Sequence, residues 1–367
     1  MKIYVFSPAL ATVGLVTNFD SLTHTRQLAG SGSFKLKAPF TPELYAVLTE
    51  ENILYWMDAG KVRAVYIDSV VCEQEATGET ITASGKNLRA YLGRRIVWKN
   101  LSFSGTVEDF ARRLVNENAV NPTDASRKIP LLSLAPRLGL TETITTATEN
   151  DNLEELLDDL STTYGLGFDV LLDPKARALQ FAVYKGTDRR TTQTATPWVV
   201  VSRDRNNVVS EVFTRSTATA RNTALISGFT DEETGARHEK EILAGSGLSR
   251  RELFVKGSAT RPKPDEDAGE TEEIVMARYD EELLQKGREK LANQVNTLSL
   301  EAEISPETVA LLEVGDKVTA IEKRYGLTSQ TYISEITAYY ERGGTSYDAT
   351  LGDAVPTVNE KLKKEIV

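Results

Sequence analysis

Apolar and polar residues alternate along much of this chain, and the clearest alternation occurs twice. Residues 63–85 read RAVYIDSVVCEQEATGETITASG, and residues 330–352 read QTYISEITAYYERGGTSYDATLG. Tyr66-Ile67-Asp68-Ser69-Val70-Val71 aligns with Tyr332-Ile333-Ser334-Glu335-Ile336-Thr337. A glycine-containing turn follows in each, at Gly78 and at Gly343-Gly344, and a second short strand ends at Gly85 or Gly352. β-Branched and aromatic residues on both arms, with a polar turn between them, predict a β-hairpin in each place. Two amphipathic hairpins can look alike by chance. The other reading is a duplicated β-domain with an insertion between the copies.

The rest of the pattern can be placed around these hairpins. Short strands are expected at 3–6, 14–19, 22–27 and 34–36, followed by a helix at Thr41-Pro42-Glu43. A hydroxyl at the cap, proline at the first helical position and an acid in the first turn start a helix well. A strand at 53–57 leads into the first hairpin, after which 86–94 carries Leu88, Tyr91 and Leu92 on one helical stripe and 95–98 reads as a strand. The period then changes: Thr106-Val107-Glu108-Asp109 opens a helix with Val107, Phe110, Ala111 and Leu114 on one face. Residues 116–125 read as a polar loop. A second helix is expected over 152–164, with Leu153, Leu156, Leu157 and Leu160 inward and Gly165 ending it. A hairpin of 167–172 and 178–184 turns at Asp173-Pro174-Lys175.

Strands resume at 198–201, 208–213 and 222–228, with a further short one at 253–255. Residues 262–273, with Pro262, Pro264 and six acids, form an exposed linker. A helix over 274–294 and strands over 296–304 and 317–321 lead to the second hairpin. The expectation is an α+β chain in three parts: a first β-domain over 1–98, an α+β insertion over 99–186, and a second β-domain over 187–367 that contains the linker and the helix.

A chain of 367 residues with 40% hydrophobic content can bury a sizeable core. The single cysteine, Cys72, excludes an internal disulfide and a cysteine zinc site, and its place in a strand predicts a buried small apolar residue. His24 and His238 lie far apart, so neither a metal centre nor a histidine relay has material; both read as packing or surface residues without a partner. The opening MKIYVFSPALATVG imitates a signal peptide, but its apolar run stops at Ser7-Pro8, so a β-strand is expected instead. No run approaches the ~18 apolar residues of a membrane span, so no membrane insertion is expected. A net charge of −10 argues against a nucleic-acid groove, although an acidic wall can face DNA and repel it.

Catalytic spacings are not found. The sequence contains no G-x-x-x-x-G-K-[ST], no H-E-x-x-H and no G-x-S-x-G. Gly165-Leu166-Gly167 is a helix stop, since a strand follows it. Glu154, Glu155, Asp158 and Asp159 could serve glycoside hydrolysis or hold a cation, but beside the leucine stripe they read as a solvated helix face. Arg94-Arg95, Arg112-Arg113, Arg189-Arg190 and Arg250-Arg251 read as surface or intersubunit ion pairs. No catalytic, cofactor-binding or metal-binding residue is assigned.

Several segments in order resemble a known family. They are Ser84-Gly85-Lys86-Asn87-Leu88, Gly93-Arg94-Arg95-Ile96-Val97, Gly105-Thr106-Val107-Glu108-Asp109, Leu114-Val115-Asn116-Glu117-Asn118-Ala119-Val120-Asn121-Pro122 and Arg127-Lys128-Ile129-Pro130. Gly165-Leu166-Gly167-Phe168 and Gly247-Leu248-Ser249-Arg250-Arg251-Glu252-Leu253-Phe254 complete the set. Their order resembles the tail hub proteins of siphophages and prophages, which are similar to the baseplate hub of contractile tails. The resemblance implies two similar β-barrel tube domains per chain and a homotrimeric ring that presents six similar units to a six-fold tail tube. It implies a virion-tail location after assembly in the host cytoplasm, no cofactor, and no enzymatic activity. The implied partners are further copies of the chain, a tail tube or distal tail protein, and a tail tip, fibre or receptor-binding protein, with DNA passing through an acidic lumen unbound. Many such hubs continue into a hydrolase or receptor-binding region; here 361–367 follow soon after the second hairpin, which predicts the hub alone. A tail-tip cell-wall hydrolase or peptidase using the carboxylates of the insertion, and a host-glycan binding module, are the alternatives.

Overall fold

The chain is a mixed α+β protein built mostly of strands in the computed structural model, which describes residues 1–352 apart from 77, 149, 265–269 and 295–296. The centre of the expected linker, the first residue of the strand expected from 296, and the chain end at 361–367 lie outside the described residues.

The first repeat runs β1 (Ile3–Phe6), β2 (Thr12–Val16), β3 (Ser21–Gln27), β4 (Ser33–Pro39), α1 (Pro42–Val47), β5 (Ile53–Asp58), β6 (Lys61–Glu75) and β7 (Gly78–Asn87). Alternate side chains go inward: Phe34, Leu36 and Ala38 of β4 and Ile81 and Ala83 of β7 are buried, while the lysines and hydroxyls between them face out. Thr41 caps α1 by accepting from the Leu44 N–H at 3.1 Å.

The insertion holds β8 (Leu101–Thr106), α2 (Val107–Val115), β9 (Leu132–Leu134), β10 (Thr143–Thr148), α3 (Leu153–Tyr164), β11 (Leu166–Asp173) and β12 (Ala178–Lys185). Both expected helices form, capped by Thr106 and Asn152, and α3 stops at Gly165, whose φ of 64° is in the left-handed region. Two expectations fail locally. Residues 95–98 make no strand beyond a single bridge between Ile96 and Asn152. Side chains fasten that segment instead: Arg95 Nε donates to the Arg127 carbonyl at 2.6 Å, and Arg127 lies over the Trp98 ring at 4.1 Å. The expected loop after α2 begins as a π-helical turn, Asn116–Val120, because Asn118, Ala119 and Val120 are buried under it. The stripe at Leu88 is a 3-10 helix, Leu88–Arg94.

The second repeat runs β13 (Val200–Val201), β14 (Val208–Ser216), β15 (Thr223–Thr230), β16 (Arg237–Ile242), β17 (Glu252–Lys256), α4 (Glu272–Ala292), β18 (Thr297–Ile304), α5 (Pro306–Val309), β19 (Lys317–Glu322), β20 (Leu327–Glu341) and β21 (Gly344–Gly352). β16, RHEKEI, has little apolar content and was not legible as a strand; it exists because β15 offers it an edge.

The duplication extends to the backbone hydrogen bonds. β6 and β20 are each 15 residues long. Each pairs with its following strand through the same register and breaks it at the same place, between Ile67 and Ser69 and between Ile333 and Glu335. Asp68 and Ser334 are therefore equivalent bulged positions. Ile67 exchanges backbone bonds with Glu51 and Asn52, and Ile333 exchanges the same bonds with Gly315 and Asp316. Glu51 and Gly315 both have positive φ, 67° and 92°. Thr41-Pro42-Glu43 recurs as Ser305-Pro306-Glu307, each capping a short helix. A chance likeness of two hairpins would not reproduce the bulge, the turn and the cap together.

One sheet of 13 strands carries both repeats, in the order β14-β18-β21-β20-β3-β4-β7-β6-β5-β1-β2, with β19 and β13 branching from β20. The path is open, and neither repeat closes into a barrel among the described residues. The main core takes Phe34, Leu36, Trp56 and Ile67 from the first repeat and Leu300, Ile304, Val318 and Ile333 from the second. A second core joins the insertion to Phe6, Ile53 and Tyr66 of the first repeat. A third, smaller core lies between β15, β17 and α4, around Ile226, Phe229, Tyr279 and Leu283.

Candidate functional site: the seam between repeats

β20 divides its length between two neighbours. Leu327 to Tyr332 pair with β19 of the same repeat, and Glu335 to Glu341 pair with β3 of the first repeat. That second pairing is the seam. The Thr25 and Thr337 hydroxyls meet across it at 2.9 Å, and Gln27 Nε2 donates to Glu335 at 2.7 Å. On the inner side His24 is buried opposite Ala338, edge-on to Trp56 with ring centroids 4.9 Å apart, and its Nε2 lies 2.7 Å from Asn87 Oδ1. Asn87 in turn donates to the Thr25 carbonyl at 3.0 Å. Burial, and then the nearby Arg26, push the imidazole pKa down to about 3, so it is neutral and Nε2 carries the proton to Asn87.

Below the seam, Glu313 in the turn before β19 gathers three cations of the first repeat. Arg63 Nη2 donates to it at 2.9 Å, and Arg26 and Lys61 also pair with it. Burial alone would raise this carboxyl, but Arg26 and Arg63 outweigh it and hold it at about 2. A cavity of about 630 Å³ opens beside this cluster, between both repeats and the β11–β12 hairpin, lined among others by Asp169, Tyr184 and Arg189. Burial raises the Asp169 carboxyl and the Tyr184 hydroxyl. The arginines around the cavity already have carboxylates: Arg189 reaches Asp316 at 3.2 Å, and Arg89 pairs with Asp158. Among the described residues no three His, Cys, Asp or Glu side chains are arranged to hold a metal ion. Among the described residues the arrangement joins two repeats and an insertion, and each charged group at the Glu313 cluster is paired.

The outer face of the sheet across the seam is polar. Strand by strand it shows Glu301 and Glu303, Asp348 and Thr350, Glu335, Thr337 and Tyr339, then Thr23 and Thr25, Lys35 and Lys37, and Thr80, Thr82 and Ser84. Acids lie on the second repeat and lysines on the first.

The residues singled out from the sequence are found in structural roles. Glu154, Glu155, Asp158 and Asp159 are not one solvated face: only Glu155 is exposed. Asp158 accepts from buried Arg89 and from the Gly30 N–H at 2.6 Å, Glu154 accepts from Ser31, and Asp159 accepts from Asn293 at 2.6 Å. The reason is that α3 lies against the β3–β4 loop on one side and α4 on the other. Of the arginine pairs, Arg94 holds Glu51 at 2.8 Å, Arg113 holds Glu117 at 2.8 Å, and Arg112 donates to the Ala135 carbonyl at 2.6 Å. Arg190 pairs with Asp188, Arg250 with Glu252, and Arg251 donates to the Thr217 carbonyl. Both histidines have partners, contrary to expectation: Asn87 for His24, and Asp280, at 2.6 Å, for His238. Cys72 is exposed rather than buried, because it sits on the half of β6 that has no second neighbour among the described residues. Sequence reasoning missed Glu313 and Glu108. Glu108 is buried and accepts from the backbone N–H groups of Leu138, Gly139 and Leu140 at 2.7, 2.9 and 3.0 Å. Neither role has a local signal, since each partner is distant in the chain. The recurrence of Ser305-Pro306-Glu307 was available as a signal for the second repeat.

A family model described as Siphovirus ReqiPepy6 Gp37-like protein matches residues 2–353. No match was found among curated proteins. Among solved structures, the chain is similar to the 43 kDa tail protein of prophage MuSo2 from Shewanella oneidensis, with a TM-score of 0.58 and 15% identity over 96% of this chain and 98% of that one. It is similar to the prophage tail protein gp18 from Listeria monocytogenes EGD-e, with a TM-score of 0.56 and 16% identity over 100% of this chain and 98% of that one. The tail protein from Neisseria meningitidis MC58 gives a TM-score of 0.56 at 14% identity, covering 96% of each chain. At these identities the likeness is one of fold.

Proposed function

The chain belongs to the Siphovirus ReqiPepy6 Gp37-like family, and from that premise we propose that it is the structural hub of a phage or prophage tail, three copies closing a ring that joins the tail tube to the tip. By family and fold it is a phage-tail-like protein, and the tail proteins among its solved relatives support a structural rather than an enzymatic role.

The observation that carries the ring is the duplication with a shared bulge, Asp68 in one hairpin and Ser334 in the other. Two equivalent units per chain let three chains offer six equivalent positions to a six-fold tube, which resolves a symmetry mismatch inside one polypeptide. In this reading 1–98 and 187–367 are the two tube domains, each completing a β-barrel in the assembled ring, and 99–186 lies outside it. The polar outer face of the sheet lines the lumen. Its serines and threonines add no positive charge to hold the DNA backbone, and Glu301, Glu303, Glu335 and Asp348 repel phosphate. The lysines of the first repeat divide that wall into alternating sectors, a departure from a uniformly acidic one. The tail tube or distal tail protein would bind one rim and the tip or receptor-binding protein the other.

The test is the native mass of the purified chain, alone and with its tube protein, together with electron-microscopy class averages. A three-chain ring with a central hole and six-fold features is expected. A chain that stays monomeric with the tube protein present would overturn the hub.

A further inference from the structure

The seam between β20 and β3 has a counterpart that a single chain leaves half-built on each side. β6, the equivalent of β20, pairs with β5 over Lys61 to Tyr66, but 69–75 have only β7 beside them among the described residues. β14 is the equivalent of β3. Leu36 faces Leu22 in the first repeat, and its counterpart Ala302 faces Glu211 in the second; His24 faces Phe34, and Phe213 faces Leu300. β14 in turn has only β18 beside it among the described residues. The two strands even share residues, since Ser21 and Thr25-Arg26 of β3 recur as Ser210 and Thr214-Arg215 of β14.

We infer that the free half of β6 in one copy pairs antiparallel with β14 of a second copy, in the register of the internal seam. This rests on the ring proposed above and specifies its chain-to-chain contact. Transferring Glu335 opposite Gln27 and Ala338 opposite His24 puts Ser69 opposite Ser216, Val71 opposite Thr214, Cys72 opposite Phe213, and Glu73 opposite Val212. The exposures agree with a missing neighbour. Thr337 and Ala338 are 8% and 4% exposed within the internal seam, whereas their counterparts Val71 and Cys72 are exposed, Val71 at 47%. Across the gap Val212 is 59% exposed. Two free strand edges that each display apolar side chains invite pairing. Because the edges belong to different surfaces, the contact is head-to-tail, the kind that forms a ring when its rotation closes, and in the proposed three-chain ring internal and intermolecular seams alternate.

The test is disulfide trapping in the full chain. Phe213→Cys faces the native Cys72; mild oxidation with diamide should convert most of the protein into covalent dimer and trimer on a non-reducing gel, reversed by dithiothreitol. Cys72→Ser in the same variant should abolish the ladder. Thr214→Cys with native Cys72 lies one residue away on the opposite face and should cross-link about tenfold more slowly. Phe213 packs against the main core, so a second pair, Glu73→Cys with Val212→Cys in a Cys72→Ser background, tests the same register with two exposed residues. Cross-linking of either facing pair supports the inference. A trimer by native mass in which neither pair cross-links overturns this pairing and leaves the ring standing. Equal cross-linking of Thr214→Cys overturns the register. A monomer without cross-links overturns the pairing and the ring together.

Discussion

Arg63 of the first repeat and Glu313 of the second are 2.9 Å apart, on strands and turns separated by the whole insertion. With Arg26 and Lys61 on the same carboxylate, this contact fastens the repeats below the seam as the β20–β3 ladder does at it.

Glu313→Gln should therefore loosen the junction without changing either repeat. Removing the charge leaves Arg63 without one of its two carboxylates, at a cost of about 1–3 kcal/mol. Glu313 is held at about 2 when folded, against an ordinary 4.5, so its contribution is complete above pH 4.5 and is lost as pH falls toward 2. Urea unfolding at pH 7 should show the loss in the variant, and the gap from the parent should shrink at pH 3. A gap that stays constant with pH would mean that the charge is not what matters.

His24 gives the seam a second acid sensitivity in a higher range. Its folded pKa of about 3 lies below the ordinary 6.5, so the folded chain binds fewer protons than the unfolded one. Stability from this group is full above pH 6.5 and declines by about 1.4 kcal/mol per unit as pH falls toward 3. His24→Leu should flatten the stability curve between pH 6.5 and 5 relative to the parent, with the buried Glu289 carboxyl, raised by burial to about 7, titrating alike in both. Parallel curves for parent and variant would show that the imidazole protonates in place.

What the sequence made legible was whatever depends on near neighbours. The alternation of Ile67 and Ile333 with polar residues marked both hairpins, and Asn152, Gly165 and the leucines between them marked α3. Cys72 is exposed because burial in a strand depends on the strand alongside, and no second strand lies beside that half of β6 among the described residues. The turn at Asn118 looked like a polar loop because its side chain, which donates to the Leu114 carbonyl at 2.9 Å, is satisfied inside the core. Glu313 could not be found by spacing at all, since its partners come from strands more than two hundred residues away.

Glu108 anchors the loop at 138–140 through three backbone N–H groups. Burial would raise its carboxyl, and those donors bring it below the ordinary value instead. Glu108→Ala should release the loop and expose the chain after Arg137, which is already 65% exposed at its side chain. Trypsin should then cut there several-fold faster in the variant at pH 7, with the remainder of the digest unchanged. An unchanged rate would show that the loop is held by other contacts.

Replacing Glu154, Glu155, Asp158 and Asp159 together by Gln or Asn would separate an enzyme from a hub only if those acids were free, and Glu154, Asp158 and Asp159 are engaged. Asp158 is the carboxylate partner of Arg89, whose side chain is 3% exposed, and removing its charge strands a buried guanidinium at a cost of about 3–5 kcal/mol. Asp158→Asn alone should lower the unfolding midpoint about as far as the fourfold variant does, while Glu155→Gln, on the exposed side of α3, should leave it unchanged. The hub reading expects wall degradation to be absent from parent and variants alike, and ring formation to fail only in those carrying Asp158→Asn. A variant that keeps its stability and loses a hydrolytic activity present in the parent would return these carboxylates to chemistry.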